Sequence, residues 1–207
     1  MISIVDYGVG NVASVANACK QLGYETILTE KKEVFEQATH IILPGVGSFR
    51  AAMEEIERRN LRELLLDLAA RKPFIGICVG MQLLFEKGFE HGETAGLGLI
   101  TGTVEKIKTS LLLPHIGWNA LEVDERFPTY TEHDGKHVYF VHSYQAYTPE
   151  EYIVASTEYG TNIPAIVQKD NICGIQFHPE KSEKVGQLLL QSVFESSQQA
   201  HRKEENR

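Results

Sequence analysis

The sequence predicts an α/β fold: a single domain with a mostly parallel central sheet, helices on both faces, and antiparallel strands in its second half. Short apolar runs alternate with helical periodicities over the first half, a pattern typical of a parallel sheet covered by helices. The second half contains short apolar segments between turn-rich stretches, which favours antiparallel hairpins attached to that sheet. A chain of 207 residues can bury one full hydrophobic core.

The elements of the first half are predicted from hydrophobic periodicity and from the glycines and prolines that interrupt it. Strands are expected at residues 2–6, 24–29, 40–43 and 73–77. Helices are expected at residues 12–22, 49–57, 61–70 and 80–86. Each strand is then followed by a helix or by another crossover, as a parallel sheet requires.

The second half is predicted to consist mainly of short strands. They are expected at residues 102–107, 115–123, 138–141, 152–157, 165–169 and 172–177. Ser182 then opens a final helix whose apolar positions are Val185, Leu188, Leu189, Leu190 and Val193. Residues 196–207 are polar and are expected to fray. We therefore assign residues 1–196 to the domain and residues 197–207 to a polar C-terminal tail.

Composition and charge exclude several classes of function. The formal net charge is −8, which argues against sequence-independent nucleic-acid binding, because that requires a basic surface. No apolar run reaches the ~20 residues of a membrane span, and the N-terminus lacks a basic leader. The three cysteines, Cys19, Cys78 and Cys173, show no spacing typical of a disulfide framework. We expect a cytoplasmic protein with reduced thiols.

Cys78 is the strongest candidate for a catalytic residue. It follows the apolar residues 73–77 and lies between Gly76 and Gly80. Glycines allow the sharp strand-to-helix turn that exposes a nucleophile at the edge of a sheet. A helix beginning just after Cys78 would point backbone N–H groups at the sulfur and favour its thiolate. Cys19, in an amphipathic helix, and Cys173, in a strand, are interpreted as structural.

His178 and Glu180 supply the candidate base and its orienting acid. Pro179 separates them and pushes His178 towards extended backbone. In an extended chain, residues two apart point to the same side. The Glu180 carboxylate can therefore bind one imidazole nitrogen and leave the other facing a thiol. Together with Cys78, these residues predict a cysteine-dependent acyl-transfer enzyme.

The loop after the strand at residues 40–43 is the candidate oxyanion site. Gly45, Val46 and Gly47 follow that strand at the edge where the predicted parallel sheet binds ligands. Their backbone N–H groups, with that of Val79, are expected to stabilise an oxyanion. A phosphate-binding turn is the rival interpretation, but the loop lacks the lysine of a P-loop. Gln82, one helical turn after Cys78, is a candidate contact for the substrate.

Two other kinds of site are rejected. The glycine turn at residues 6–11 resembles a dinucleotide-binding fingerprint but lacks the third glycine. His133, His137 and His142 have no cysteine or carboxylate cluster that would complete a zinc site. We predict neither a metal nor a cofactor.

The segments around Cys78 and His178 together resemble the class I, or triad, glutamine amidotransferases. Those segments are residues 76–82 and 176–180, and residues 44–47 stand where the family keeps its oxyanion loop. Residues 114–119, 139–144 and 181–182 are similar to the branch of the family that serves imidazole glycerol phosphate synthase in histidine biosynthesis. The resemblance covers residues 6–182 and implies a glutaminase.

The resemblance also implies further site residues and a partner. Ser143 and Tyr144, with Gln82, would line the glutamine pocket. Asn11, Trp118, Tyr139 and Lys181 would lie at or near an interface with a (β/α)₈ cyclase subunit, which receives the ammonia in a heterodimer. Two alternatives stay open. The same glutaminase chemistry can serve an anthranilate or GMP type of synthase, or the chain can be a stand-alone cysteine hydrolase of γ-glutamyl substrates.

Overall fold

The computed structural model describes residues 1–205. Its strands are β1 (Ile2–Val5), β2 (Thr26–Thr29), β3 (His40–Leu43), β4 (Phe74–Ile77), β5 (Phe85–Gly88), β6 (Thr94–Ala95), β7 (Ile100–Lys106), β8 (His115–Ala120), β9 (Glu122–Val123), β10 (His137–His142), β11 (Tyr144–Tyr147), β12 (Ile153–Glu158), β13 (Asn162–Lys169) and β14 (Ile172–Ile175). Its helices are α1 (Val12–Gln21), α2 (Lys32–Glu36), α3 (Phe49–Arg58), α4 (Arg62–Arg71), α5 (Val79–Gln82) and α6 (Glu183–Glu205).

An eight-stranded central sheet organises the domain, with the order β2-β1-β3-β4-β14-β13-β12-β9. The first five strands in that order run parallel, whereas β13, β12 and β9 pair antiparallel. Strands β1, β3, β4 and β14 are buried along their whole length, which is typical of a sheet covered on both faces. The predicted fold class is confirmed.

The chain's crossovers place helices on opposite faces of the sheet. Helix α1 connects β1 to β2 in one direction along the sheet, whereas α3 and α4 connect β3 to β4 in the other. Because parallel crossovers are right-handed, opposite directions put these helices on opposite faces. Strands β3, β4 and β14 are parallel neighbours, so their carboxyl ends lie side by side at one edge of the sheet. Loops at such an edge can form a binding site.

In the first half, the prediction of β3 is confirmed residue for residue, and the other predicted strands are confirmed with small changes at their ends. One prediction was wrong, and one helix was missed. The helix expected at residues 80–86 is the single turn α5, and Phe85 already belongs to β5. Helix α2 was not expected, because its five residues are too few to show a helical hydrophobic periodicity.

In the second half, strands were predicted but several were missed. Strands β5, β6, β7 and β11 form a separate four-stranded sheet, and β8 pairs only with β10. Among the second-half strands, β14 joins the central sheet in parallel, and β13, β12 and β9 extend it antiparallel. The expectation that the hairpins attach to this sheet is therefore correct for part of them. The expected fraying of residues 196–207 was wrong as far as residue 205, because α6 continues through Glu205. Ser197 is buried, and its hydroxyl donates to the Phe194 carbonyl.

A close backbone contact joins the ends of β3 and β4. A Cβ added to Gly80 would lie 1.9 Å from the Leu43 carbonyl oxygen, and one added to Gly76 would lie 2.4 Å from the Gly80 oxygen. Both neighbours are backbone atoms, which cannot rotate away as a side chain can. Glycine is therefore required here to bring the Cys78 turn against the loop after β3.

We predict that Gly80→Ala lowers the free energy of unfolding by about 3 kcal/mol or more, because the added methyl overlaps a rigid carbonyl in a close-packed core. Urea unfolding checks this. Gly23→Ala is the matched control. Gly23, unlike Gly80, has a positive φ of 84°, but an added Cβ has no neighbour within 4 Å, so only the backbone cost of about 1–2 kcal/mol is expected. Equal losses in the two variants would contradict the prediction.

Candidate active site

Cys78 lies at a strained corner between β4 and α5. Its φ of 55° and ψ of −112° are unusual for any residue other than glycine, and such strain is often found at functional positions. Its backbone N–H donates to the Ile175 carbonyl at 2.7 Å, which ties the corner to the end of β14. The predicted strand-to-helix turn is confirmed. Helix α5 has only four residues, so its dipole is smaller than we expected.

His178 and Glu180 form a buried hydrogen-bonded pair. The His178 Nδ1 lies 2.8 Å from the Glu180 Oε1, with 4% and 1% of their side chains exposed. The reason for their approach differs from our prediction. His178 is extended, but Pro179–Lys181 is a 3₁₀ turn, and this turn brings the carboxylate back to the ring.

His178 also lies close enough to Cys78 for the sulfur to affect the pKa of the ring. Burial alone would lower the pKa of His178, but the hydrogen bonds and charges of Cys78 and Glu180 outweigh it and raise this pKa to about 9. An imidazolium beside the sulfur stabilises a thiolate. The structure therefore brings together a nucleophile, a base and an orienting carboxylate, in the order that acyl transfer requires.

A cavity of about 410 Å³ opens onto Cys78 and His178, a size suited to a small molecule. Nine residues singled out from the sequence line it: Val46, Gly47, Cys78, Val79, Gln82, Ser143, Tyr144, His178 and Lys181. Gly45 does not line the cavity. An added Cβ there would lie 2.6 Å from the Gly80 nitrogen, so Gly45 holds the loop against the Cys78 turn. The oxyanion role of Val46, Gly47 and Val79 stays a prediction.

Tyr7 supports the same loop and was not predicted. It is fully buried, and its hydroxyl donates to the Pro44 carbonyl at 2.6 Å. Burial raises the pKa of Tyr7, so the hydroxyl remains a donor. The hint in the sequence is its place two residues after the end of β1, at the same sheet edge as Pro44.

Glu90 and His142 also line the cavity and were not predicted as parts of the site. Glu90 is half-buried, and its Oε2 accepts the Phe49 backbone N–H at 2.8 Å. Burial lowers the pKa of His142 to about 4, so this ring is neutral. Its Nδ1 lies 2.9 Å from the Tyr144 carbonyl, which can only accept, so Nδ1 carries the proton.

Three of the four predicted interface residues form a contiguous surface next to the cavity. Trp118, 46% exposed, packs edge-to-face on Tyr139, and the Lys181 amine lies 5.8 Å from the Tyr139 ring. The backbone carbonyl of Tyr139 accepts a hydrogen bond from the backbone N–H of His178. Asn11 is separate from them in the chain and follows Gly10, whose backbone packs against Pro44. Their role at an interface stays a prediction.

Metal-binding clusters and membrane-spanning helices are both absent from residues 1–205. No group of three or more histidine, cysteine, aspartate or glutamate residues there is arranged to hold a metal ion. No helix in that range is long and apolar enough to cross a membrane. Cys19, Cys78 and Cys173 are all buried free thiols.

Comparison with known proteins agrees with this geometry. The chain matches the family described as glutamine amidotransferase class-I over residues 3–195. It is 49% identical over 197 residues to the imidazole glycerol phosphate synthase subunit HisH of Exiguobacterium sibiricum, covering 95% of this chain and 96% of that protein. It is 48% identical over 197 residues to the protein of the same name from Lactococcus lactis, covering 94% and 98%. A solved glutamine amidotransferase structure shares the fold with a TM-score of 0.75 at 20% identity, covering 95% and 98%.

Proposed function

The chain belongs to the class I glutamine amidotransferase family, and from this premise we propose that it is the glutaminase subunit of an imidazole glycerol phosphate synthase. It hydrolyses glutamine to glutamate and ammonia and passes the ammonia to a cyclase subunit. That subunit makes imidazole glycerol phosphate and AICAR in histidine biosynthesis. Identity of nearly one half, over almost the full length of subunits with this name, supports the pathway.

One observation carries the chemistry: Cys78 and His178 line the same cavity, and the Nδ1 of His178 is bound to the Glu180 carboxylate. The Cys78 thiolate attacks the side-chain amide carbon of glutamine. His178 protonates the departing nitrogen and ammonia leaves, which gives a thioester. His178 then deprotonates a water molecule, which attacks the thioester carbonyl carbon. This step releases glutamate and regenerates the Cys78 thiolate.

Each tetrahedral intermediate carries an oxyanion, which backbone N–H groups of Val46, Gly47 and Val79 stabilise in our proposal. Each such donor typically contributes about 10²–10³ in rate. Gln82, Ser143 and Tyr144 bind the rest of the glutamine. Glu90 adds a carboxylate to the same cavity, which suits the positively charged amino group of an amino acid.

The partner surface is proposed from Asn11, Trp118, Tyr139 and Lys181. Released ammonia would be protonated in water and lost as a nucleophile, so it must pass directly to the cyclase. A (β/α)₈ cyclase docked on Trp118 and Tyr139 would receive the ammonia close to His178, because the backbone N–H of His178 donates to the backbone carbonyl of Tyr139. We expect this heterodimer in the cytoplasm, where its three free thiols stay reduced.

The test measures glutamate release by the chain alone, with the cyclase subunit, and with the cyclase and its nucleotide ligand. We expect little activity alone and an increase of about tenfold or more in the loaded complex, the scale of ordinary coupling between sites. The complex carrying Cys78→Ser controls for contaminating glutaminases. Equal rates in all three conditions, or co-purification with an anthranilate synthase component instead, would overturn the proposal. Strong activity of the chain alone on other γ-glutamyl compounds would indicate a stand-alone hydrolase.

A further inference from the structure

A buried pair of glutamine amides lies behind the cavity. Gln82 is 3% exposed and Gln176 is fully buried. The Gln82 Nε2 donates to the Gln176 Oε1 at 3.1 Å and to the Tyr144 carbonyl at 3.2 Å. An amide nitrogen has two hydrogens, and these two bonds use both.

The orientation of the Gln82 amide follows from the acceptors around it. The Tyr144 carbonyl can only accept, and it also accepts the Nδ1 proton of His142 at 2.9 Å. If the Gln82 amide were reversed, its oxygen would face this carbonyl oxygen without a proton between them. With its nitrogen bound to these two acceptors, Gln82 keeps its Oε1 as the acceptor atom of a side chain that lines the cavity.

Gln176 holds the Gln82 amide in this orientation while its own amide nitrogen is left without a hydrogen-bond partner within residues 1–205. Its Oε1 binds Gln82, but its Nε2 is buried without a partner among the described residues. Reversing Gln176 would place its nitrogen against the Gln82 nitrogen, and both groups would then be donors. A buried unpaired donor is unfavourable and rare in native proteins, so stability alone does not explain this arrangement.

We propose that Gln176 is a positioning residue that fixes the Gln82 amide so that the cavity presents an acceptor oxygen to the amino group of the substrate. This inference rests on the proposed glutaminase function. Gln82 Oε1 and the Glu90 carboxylate are then two acceptors on one cavity, which selects substrates with a donor-rich ammonium at that point. Gln176 itself does not line the cavity and acts through Gln82.

The test compares Gln176→Met with the unmodified chain in the loaded complex. The methionine removes the acceptor and frees the Gln82 amide to rotate. We expect KM for glutamine to rise about 10–100-fold, the usual effect of losing a hydrogen bond to a charged group, with a much smaller change in kcat. For 4-carbamoylbutanoate, which is glutamine without its amino group, KM should change little. Equal effects on both substrates would overturn the inference.

Three further measurements keep the test decisive. Gln176→Glu keeps an oxygen facing Gln82, so its KM for glutamine should be close to that of the unmodified chain. In a Gln82→Ala background, Gln176→Met should raise KM no further, because Gln176 acts only through Gln82; additive effects would overturn the inference. Gln168→Met is the matched control, since this amide binds Tyr130 and Ser196 away from the cavity and should leave KM unchanged.

Thiol reactivity separates misfolding from mispositioning. Gln176→Met should keep the rate at which iodoacetamide modifies Cys78, because the His178 and Glu180 contacts do not involve Gln176. If Gln176→Met does not fold, Gln176→Leu is used in its place. If the unmodified complex releases no glutamate, the proposed function fails. If it does, and Gln176→Met leaves KM unchanged, only the role of Gln176 fails.

Discussion

Replacing Cys78 with serine is expected to reduce glutamine hydrolysis by the loaded complex by about 10⁴-fold or more, the scale seen when a nucleophile of a triad is removed. The Cys78 sulfur lies beside a group that stabilises its ionised form. His178, with a pKa raised to about 9 against the effect of burial, remains an imidazolium that stabilises a thiolate. A serine hydroxyl does not ionise there, so the variant loses both the thiolate nucleophile and the charge pair that the sulfur forms with His178.

The measurement is glutamate release under saturating glutamine, with the other two cysteines as matched controls. Cys19 and Cys173 are as buried as Cys78, but burial raises the pKa of each thiol to about 12. Cys19→Ser and Cys173→Ser should therefore keep the activity within a few fold. Iodoacetamide at neutral pH should modify Cys78 and leave Cys19 and Cys173 intact. Retention of activity by Cys78→Ser would remove the assignment of the nucleophile.

The parts of this site that the sequence predicts are those whose geometry is local. The turn at Cys78 follows from glycines two residues to either side, and His178 and Glu180 are neighbours along the chain. Even there, the physical reason was partly wrong. An extended segment was expected to align His178 with Glu180, whereas a 3₁₀ turn does so, because Pro179 is equally suited to begin such a turn.

The missed residues are those that only tertiary packing brings to the site. Glu90 belongs to a loop after β5, and the Phe49 backbone, 41 residues away in the chain, binds its carboxylate. His142 was weighed only as a metal ligand, because its bond to the Tyr144 carbonyl has no sequence signature. The edge strands β6 and β9 have two residues each, too few for any alternation to be recognised.

Glu180→Gln is expected to lower glutamine hydrolysis by about 10³–10⁴-fold at neutral pH, although the amide has nearly the same shape. The carboxylate keeps the proton on His178 Nδ1 and stabilises the imidazolium, and replacing such a carboxylate by its amide in a serine triad costs about 10⁴. Without this charge, the pKa of His178 falls from about 9 towards its ordinary value. Fewer molecules then hold the thiolate–imidazolium pair at pH 7.

Two pH profiles check the sign of this effect. In the unmodified protein, the imidazolium persists up to about pH 9, so alkylation of Cys78 should already be fast at pH 7. In Glu180→Gln it should be slow at pH 7 and rise with pH as the thiol itself ionises. Since the folded-state pKa of His178 lies above its ordinary 6.5, its contribution to the free energy of unfolding is complete below pH 6.5 and is lost as the pH rises through about 9.

That pH-dependent loss of stability should be smaller in Glu180→Gln, because the variant starts with less of the contribution to lose. Glu183→Gln is the matched control. It removes an exposed carboxylate three residues further along the chain without touching His178, so both profiles should match those of the unmodified protein. Activity of Glu180→Gln within tenfold of the unmodified complex, with an unchanged alkylation profile, would mean that Glu180 does not orient His178. The imidazolium would then depend on Cys78 alone.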